Sequence, residues 1–281
     1  MLREKVRNGV VVAALVLVAV LLGGCVSQPA SERKETLRIE GSTTVFPIAQ
    51  KAAEAYMNKN KNADIQVSAT GSGAGITAVG QGRAGIGMSS REIKSSEIAT
   101  YPDLRTVTVA KDGIALIVHK SNSVSALNLS QIRGIYNGTI KNWNQVGGAD
   151  ASIVVIGRDA ASGTREFFWE HVMSKENFTE GMLEKNSNAA IKESVMSTPG
   201  SIGYVGLGYV DSSVKALKIS TSAGDVEASV ANVLNGTYPI SRSLYFITKG
   251  EPRGLAKKFI EFVLSAQGQK IVQDEGFVPI K

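Results

Sequence analysis

The fold is decided by residues 37–60, LRIEGSTTVFPIAQKAAEAYMNKN, in which a short apolar segment leads through a Ser/Thr turn into a helical pattern. Residues 37–40 alternate apolar and charged side chains, which is typical of a half-buried strand. Pro47 suits the first turn of a helix, because the N–H that proline lacks has no helical partner at that position. We therefore predict a strand, a polar turn and a helix over residues 47–60.

The same order of strand, turn and helix occurs twice more. The second turn is TGSGAG at residues 70–75, and the third is RDAASGTR at residues 158–165. The remaining predicted strands span residues 65–69, 84–88, 105–109, 114–119, 153–156, 202–205 and 244–248, and the remaining helices span 75–81, 129–136, 164–173, 229–234 and 255–273. Alternation of strands and helices predicts an α/β fold with largely parallel sheets.

These three turns have the composition of anion-binding loops. The first N–H groups of a helix lack carbonyl partners and carry the positive end of the helix dipole, so they bind anions. A single Ser or Thr at a helix start is most often only an N-cap. Three such turns in one chain, with the permanently charged Arg158 beside the third, favour convergence on one anion.

A fourth segment, GMSSR at residues 87–91, follows a predicted strand. The carboxyl ends of strands in open α/β sheets are where ligands bind. Two interpretations of Arg91 remain open: it contacts the anion, or it forms an ion pair with Glu92 or a more distant carboxylate.

The N-terminus has the layout of a signal peptide, with three basic residues before an apolar run at residues 10–22. This run is shorter than the about 20 residues that cross a membrane. The sequence LGGC that ends at Cys25 resembles the bacterial lipobox, and Cys25 is the single cysteine of the chain. We predict a cleaved leader over residues 1–24, lipid attachment at Cys25 and a polar tether over residues 25–35.

Composition and motifs argue against several function classes. The excess of 31 basic over 25 acidic side chains is mild and suits an anionic ligand or membrane surface, and no block of Lys and Arg with interleaved aromatics indicates nucleic acid. The GxGxxG at residues 80–85 precedes a strand instead of following one, so it does not predict a dinucleotide site. No P-loop or GxSxG elbow is present, and His119 and His171 are far apart. We predict no catalytic residues, no cofactor and no histidine-based metal site, although an all-carboxylate metal site stays open.

The loops resemble, in order and spacing from residue 37 to residue 279, the phosphate-binding protein of the phosphate ABC transporter, the PstS family. The matching stretches are residues 41–47, 70–76, 86–93, 135–138, 142–143, 162–165, 202–205 and 238–242. The resemblance implies a type II periplasmic-binding-protein fold, with two α/β lobes joined by two crossing strands and the ligand between them. Lobe 1 would comprise residues 36–113 plus 238–281, and lobe 2 residues 114–237.

The resemblance also implies which residues bind phosphate. They are Thr43, Thr44, Val45, Ser72, Gly73, Ser90 and Arg91 in lobe 1, and Arg158, Ser162, Gly163 and Thr164 in lobe 2. The segments around Trp143, Tyr204 and Arg242 would serve in packing and at the hinge. Several family members have an aspartate where Ser90 stands, and that carboxylate accepts the proton of phosphate, which sulfate lacks. Ser90 can accept or donate, so it would reject sulfate less strictly than a carboxylate does. We expect phosphate as the ligand, with sulfate or molybdate as alternatives.

The function implied is capture without chemistry. A monomeric receptor, lipid-anchored to the outer face of the cell membrane or periplasmic, would bind inorganic phosphate and deliver it to the permease subunits of an ABC importer. Two alternatives use the same loops: an exported phosphatase, which also needs a nucleophile or a metal cluster, and an adhesion or matrix protein that holds the anion structurally.

Overall fold

The structure, a computed structural model, describes residues 34–280, so the predicted leader, Cys25 and most of the tether lie outside the described residues. The strands are β1 Glu35–Gly41, β2 Ala63–Ala69, β3 Ile86–Ser89, β4 Leu104–Val118, β5 Ala126–Asn128, β6 Val154–Arg158, β7 Leu183–Lys185, β8 Ser201–Gly206, β9 Lys215–Ala216, β10 Lys218–Thr221, β11 Gly224–Val226 and β12 Ser241–Lys249. The helices are α1 Phe46–Lys59, α2 Ser72–Gly80, α3 Ser95–Thr100, α4 Leu129–Tyr136, α5 Gly163–His171, α6 Asn188–Ser197, α7 Val230–Leu234, α8 Gly254–Leu264 and α9 Ala266–Asp274. Two short 3-10 helices span Trp143–Val146 and Leu207–Tyr209.

The three predicted strand-turn-helix units are confirmed as β1–α1, β2–α2 and β6–α5. Two other predictions were wrong. The segments 105–109 and 114–119 form one strand, β4, because β12 pairs with β4 across the gap between them. The helix predicted over 255–273 is two helices, because Ser265 has an extended backbone and its side chain caps α9 by accepting from the Gly268 N–H.

The main sheet has the strand order β2-β1-β3-β12-β4-β8-β6-β7, with β9 added against β4. The prediction of largely parallel sheets holds only for its outer parts, where β2, β1 and β3 run parallel, as do β8, β6 and β7. At the centre, β12 is antiparallel to both β3 and β4, and β4 is antiparallel to β8. The sheet is mixed because β4 and β12 run in opposite directions through its middle.

Two hydrophobic cores lie on either side of the middle of β4. The first contains Val109 and Ala110 with the apolar side chains of β1, α1 and α8. The second begins at Ile114 and includes side chains from β6, β8 and α5, and Tyr238, Ile240 and Val278 from the C-terminal part of the chain also pack into it. We call the part built on the first core lobe 1 and the part built on the second core lobe 2. The chain crosses between them along β4 and returns just before β12, where the Ile114 N–H donates to the Ile240 carbonyl.

This arrangement is the predicted two-lobed periplasmic-binding-protein fold. Within residues 34–280, no helix combines the length and the apolar character needed to cross a bilayer.

Candidate functional site

The three polar loops of lobe 1 are tied together by their backbones. The Gly41 carbonyl accepts from the N–H groups of Thr70 and Gly71, each at 2.8 Å, and the Ser42 N–H donates to the Met88 carbonyl at 2.9 Å. Gly41 has φ +138, and a Cβ there would lie 2.2 Å from the Met88 oxygen. Only glycine allows this approach, so the carboxyl ends of β1, β2 and β3 meet at one place.

The third predicted loop, in lobe 2, packs directly against the loops of lobe 1. The Thr44 and Thr164 hydroxyl oxygens lie 3.1 Å apart, and the Gly73 N–H donates to the Ala161 carbonyl at 3.2 Å. Thr44 and Thr164 are buried. The two lobes are therefore closed on each other at the loops that the sequence singled out.

The hydrogen bonds around Thr44 fix which way its hydroxyl points. Its oxygen accepts from the Asn188 amide at 3.0 Å and from the Arg242 guanidinium at 3.4 Å, which uses both lone pairs. Its own proton is then the one shared with Thr164. Because Thr164 accepts that proton, the Thr164 hydroxyl is left with a proton to donate to an anion.

Two helix N-termini meet at the same point. The Ser72 Oγ lies 3.3 Å from the Ser90 Oγ and accepts from the Ser90 N–H at 3.1 Å, at the start of α2. Gly163, the first residue of α5, lies against both serines, since a Cβ on it would be 2.4 Å from the Ser72 Oγ and 2.9 Å from the Ser90 Oγ. The Gly73 N–H is taken by the Ala161 carbonyl and the Arg165 N–H by the Ser162 Oγ, and the other first N–H groups of α2 and α5, which have no helical acceptors, are suited to an anion.

Arg158 is a buried cation whose position is set by backbone groups. It is only 1% exposed, and its Nε and Nη2 donate to the carbonyls of Lys185 and Asn186 at 3.1 and 3.0 Å. Its own N–H donates to the Tyr204 hydroxyl, and burial raises the pKa of Tyr204 to about 12. Burial lowers the pKa of the Arg158 guanidinium, and the nearby Asp159 partly offsets this effect.

Arg242, the second buried cation of the site, has a carboxylate partner. Its Nε and Nη2 donate to one Asp112 oxygen at 3.0 and 2.8 Å, while the other oxygen accepts from the Leu207 N–H at 2.9 Å. Burial raises the pKa of the Asp112 carboxyl, and Arg242 opposes that shift. In contrast, none of the ion pairs within the described part of the chain includes Arg158. The Arg158 guanidinium is therefore buried without a carboxylate in direct contact, which suits an anion.

The structure brings most of the predicted residues together. Those that are buried where the lobes meet are Thr43, Thr44, Ser72, Ser90, Arg158, Ser162, Gly163 and Thr164. Val45 differs, because its side chain is in the first core and its N–H already donates to the Ser42 Oγ at 3.3 Å. Ser162 is also the N-cap of α5, since its Oγ accepts from the Arg165 N–H.

Arg91 forms the ion pair that the sequence left as one of two alternatives. Its Nη1 and Nη2 donate to the two carboxylate oxygens of Glu97 at 2.8 and 2.7 Å, and Nη1 also donates to the Glu92 carbonyl. The Arg91 and Glu97 pair lowers the pKa of Glu97 although burial opposes this. A Cβ on Gly73 would lie 3.8 Å from the Arg91 Nη2, so this guanidinium borders the second loop. Contact between Arg91 and an anion stays a prediction.

Sequence reasoning missed Asn188, which is fully buried and connects the two lobes. Its amide nitrogen donates to the Thr43 and Thr44 hydroxyl oxygens at 2.9 and 3.0 Å, and its carbonyl oxygen accepts from the Gly206 N–H. Asn188 opens α6, and the available signal was Ser187, which caps that helix. The short strand β7 before it lacks the apolar run that marked the other units.

Residues 34–280 contain no group of three or more His, Cys, Asp or Glu side chains placed to hold a metal ion.

The fold and the buried, donor-rich cleft define a two-lobed solute-binding protein of the periplasmic-binding-protein class.

Comparisons with known proteins narrow this class to one family. Residues 26–267 match the family model of the PBP superfamily domain. The phosphate-binding protein PstS of Bacillus subtilis is 34% identical over 247 residues, which is 87% of this chain and 81% of that protein. The chain belongs to the PstS family of phosphate-binding proteins.

Two solved structures give the same result. A phosphate ABC transporter substrate-binding protein from Clostridium perfringens, determined with bound phosphate, is 40% identical with a TM-score of 0.83 over 88% of this chain and 100% of that one. An ABC-type phosphate transport receptor from Vibrio cholerae is 33% identical with a TM-score of 0.71 over 86% of this chain and 99% of that one.

Replacing Gly163 with alanine is expected to prevent closure and weaken anion binding by about tenfold or more. The added Cβ would lie 2.4 Å from the Ser72 Oγ and 2.8 Å from the Ser72 Cβ, and overpacking of this kind costs about 1–3 kcal/mol. Gly181→Ala is the matched control, because a Cβ there meets nothing within 4 Å. Calorimetric titration with phosphate measures both variants, and unchanged binding by Gly163→Ala would show that this contact is not part of the bound state.

Proposed function

We propose that this chain is an exported, lipid-anchored receptor that captures inorganic phosphate and delivers it to the permease subunits of an ABC importer. The observation that carries the proposal is the buried Arg158 guanidinium, which donates to two backbone carbonyls and forms no ion pair within residues 34–280, beside a junction of the lobes that is lined by buried hydroxyl groups. A desolvated anion needs a hydrogen bond for each oxygen, and neutral donors with a single net cation meet that need.

The donors proposed for phosphate come from both lobes, so binding and closure are coupled. Lobe 1, residues 36–113 plus 238–281, would offer Thr43, Thr44, Val45, Ser72, Gly73, Ser90 and Arg91, and lobe 2, residues 114–237, would offer Arg158, Ser162, Gly163 and Thr164. The Val45 and Gly73 N–H groups and the Thr44 hydroxyl already have protein partners in the closed form, so their contact with phosphate would require that those bonds exchange. An open form would admit the ion, and rotation about the two crossings would close the lobes on it. The closed monomer would then present itself to the permease, held near the membrane by lipid on Cys25 and the tether of residues 25–35.

Ser90 gives a specific reason to keep a second candidate, a receptor for another oxyanion such as sulfate or molybdate. The Ser90 Oγ contacts the Ser72 Oγ, and both groups can donate or accept. A hydroxyl pair does not demand a protonated ligand as a carboxylate does, so rejection of sulfate would rest on weaker discrimination. An exported phosphatase is a less favoured alternative from a different class.

Thermal unfolding of the full-length protein with a panel of anions tests this proposal. At one hundred times the dissociation constant, a ligand adds about 2.7 kcal/mol of stability. For a protein of this size that corresponds to a rise in Tm of roughly 5–10 °C. We expect the rise with inorganic phosphate, a smaller or absent one with sulfate and molybdate, and no release of p-nitrophenol from p-nitrophenyl phosphate. Equal shifts for all three oxyanions would favour the broader receptor, and turnover of the ester would favour the enzyme.

A further inference from the structure

One exposed ion pair connects the two lobes outside the anion site. The Lys94 ammonium nitrogen lies 2.7 Å from a Glu166 carboxylate oxygen, with side chains 41% and 22% exposed. Lys94 precedes α3 in lobe 1, and Glu166 lies in the first turn of α5 in lobe 2. Among the ion pairs of residues 34–280, this is the one that joins a residue of lobe 1 to a residue of lobe 2.

The Lys94 end of the pair is attached to the loop that carries Ser90. The Lys94 N–H donates to a Glu97 oxygen at 2.8 Å. The same carboxylate holds both terminal nitrogens of Arg91, the residue next to Ser90. Movement of Lys94 would therefore be transmitted through Glu97 to the loop of lobe 1 at residues 87–91, which contains Ser90.

The Glu166 end is attached to the anion-binding end of α5. The Glu166 N–H donates at 3.1 Å to the carbonyl of Ser162, the residue that directly precedes Gly163 and Thr164. Both Lys94 and Glu166 line a cleft of about 660 Å³ that also reaches Arg91 and Arg242. Arg242 in turn donates to the Thr44 hydroxyl within the site. The pair thus lies in a cleft between the lobes that borders the anion site through Arg242.

We propose that Lys94 and Glu166 are positioning residues that hold the closed state and set the rate at which the bound anion is released. The inference rests on the proposed function, since it requires that the lobes open and close around an anion. Breaking the pair removes an interaction that exists only when the lobes are together. The pair is already broken in the open state, so its loss weakens the closed state and speeds release, whereas any change in electrostatic attraction of the anion has opposite sign in the two single variants.

Neutralising Lys94 and Glu166 separately distinguishes a pair that closes the lobes from side-chain charges that merely attract or repel the anion. Simple electrostatics predicts opposite effects, because Glu166→Gln removes a negative charge near an anion and Lys94→Gln removes a positive one. A closing pair predicts that both substitutions weaken binding. For a pair this exposed, we expect release about two- to fivefold faster in each variant.

The experiment follows release of radiolabelled inorganic phosphate from the full-length protein after addition of excess unlabelled phosphate. The reversed pair, Lys94→Glu with Glu166→Lys, should recover most of the slow release that each reversal alone loses. The matched control is Lys218→Gln, which breaks a 3.3 Å pair with Glu227 inside lobe 2 and should leave release unchanged. Unfolding of each ligand-free variant confirms that the fold is intact.

Three results would overturn the inference: slower release in Glu166→Gln, release in both single variants equal to that of the unsubstituted protein, or a reversed pair no better than the single reversals. These differ from failure of the proposed function itself, which would appear as no phosphate binding by the unsubstituted protein and would overturn the inference with it.

Discussion

Replacing Arg158 with methionine is expected to lower the affinity for phosphate by roughly 30-fold to more than 1,000-fold. Arg158 is 1% exposed and has no ion-pair partner within residues 34–280, so a bound anion would supply the charge that balances it. Removing one member of a buried, hydrogen-bonded charge pair typically costs about 2–5 kcal/mol of binding free energy. Methionine keeps most of the length of the side chain while it removes the charge and the donors.

The control for this variant is Arg133→Met, on α4 of the same lobe. Arg133 is partly exposed and its nearest carboxylate, on Glu176, is 4.0 Å away. We expect the Arg133 variant to bind phosphate within about twofold of the unsubstituted protein, because exposed pairs contribute little. Arg158→Lys adds a second comparison, since it keeps the charge but cannot reach both the Lys185 and Asn186 carbonyls in the same way. A fall of less than threefold for Arg158→Met would contradict the role given to this residue.

Replacing Asp112 with alanine is expected to lower the free energy of unfolding of the ligand-free protein by about 3–5 kcal/mol. The Arg242 and Asp112 side chains are 1% and 0% exposed, so the substitution leaves the Arg242 guanidinium buried without its counter-charge. It also removes the acceptor of the Leu207 N–H, at the start of the 3-10 helix after β8. Urea unfolding followed by circular dichroism measures the change.

A double variant separates the lost pairing from the lost packing. Asp112→Leu with Arg242→Met replaces a buried ion pair with apolar side chains, which is often neutral or stabilising. We expect it to recover most of the stability lost by Asp112→Ala but not phosphate binding, because Arg242 also donates to Thr44 and to the Ser90 carbonyl. A loss of less than 1 kcal/mol for Asp112→Ala would show that the pair is not the stabilising contact that its burial indicates.

Local patterns in the sequence were sufficient to predict the loops that build the site. Gly41, the hydroxyl side chains after it and the Pro in the first turn of α1 each indicate a tight turn or a helix start, and the structure places the turn and the helix as predicted. Binding at a helix N-terminus depends on the order of residues within about one turn. For this reason the loops at residues 70–75 and 158–165 could be predicted without knowledge of the tertiary structure, whereas the choice of Ser72, Gly163 and Thr164 as phosphate donors came from the family resemblance and stays a prediction.

The side chains that contact these loops could not be predicted from the neighbouring sequence. Asn188 reaches Thr43 and Thr44 across more than 140 residues of sequence, and no pattern around Asn188 distinguishes it from an ordinary helix start. The choice of Glu97 as the partner of Arg91 depends on how α3 folds back. The continuity of β4 likewise depends on pairing with β12, a strand more than 100 residues further along the chain. Each of these contacts is set by tertiary packing, which overrides local propensity.

Isothermal titration of the ligand-stripped full-length protein with phosphate and with sulfate tests whether this closed site binds inorganic phosphate. We predict phosphate binding with a dissociation constant of about 1 μM or tighter, and sulfate binding that is undetectable or much weaker. Absence of phosphate binding, or sulfate binding as tight as that of phosphate, would contradict the account of a phosphate-selective receptor.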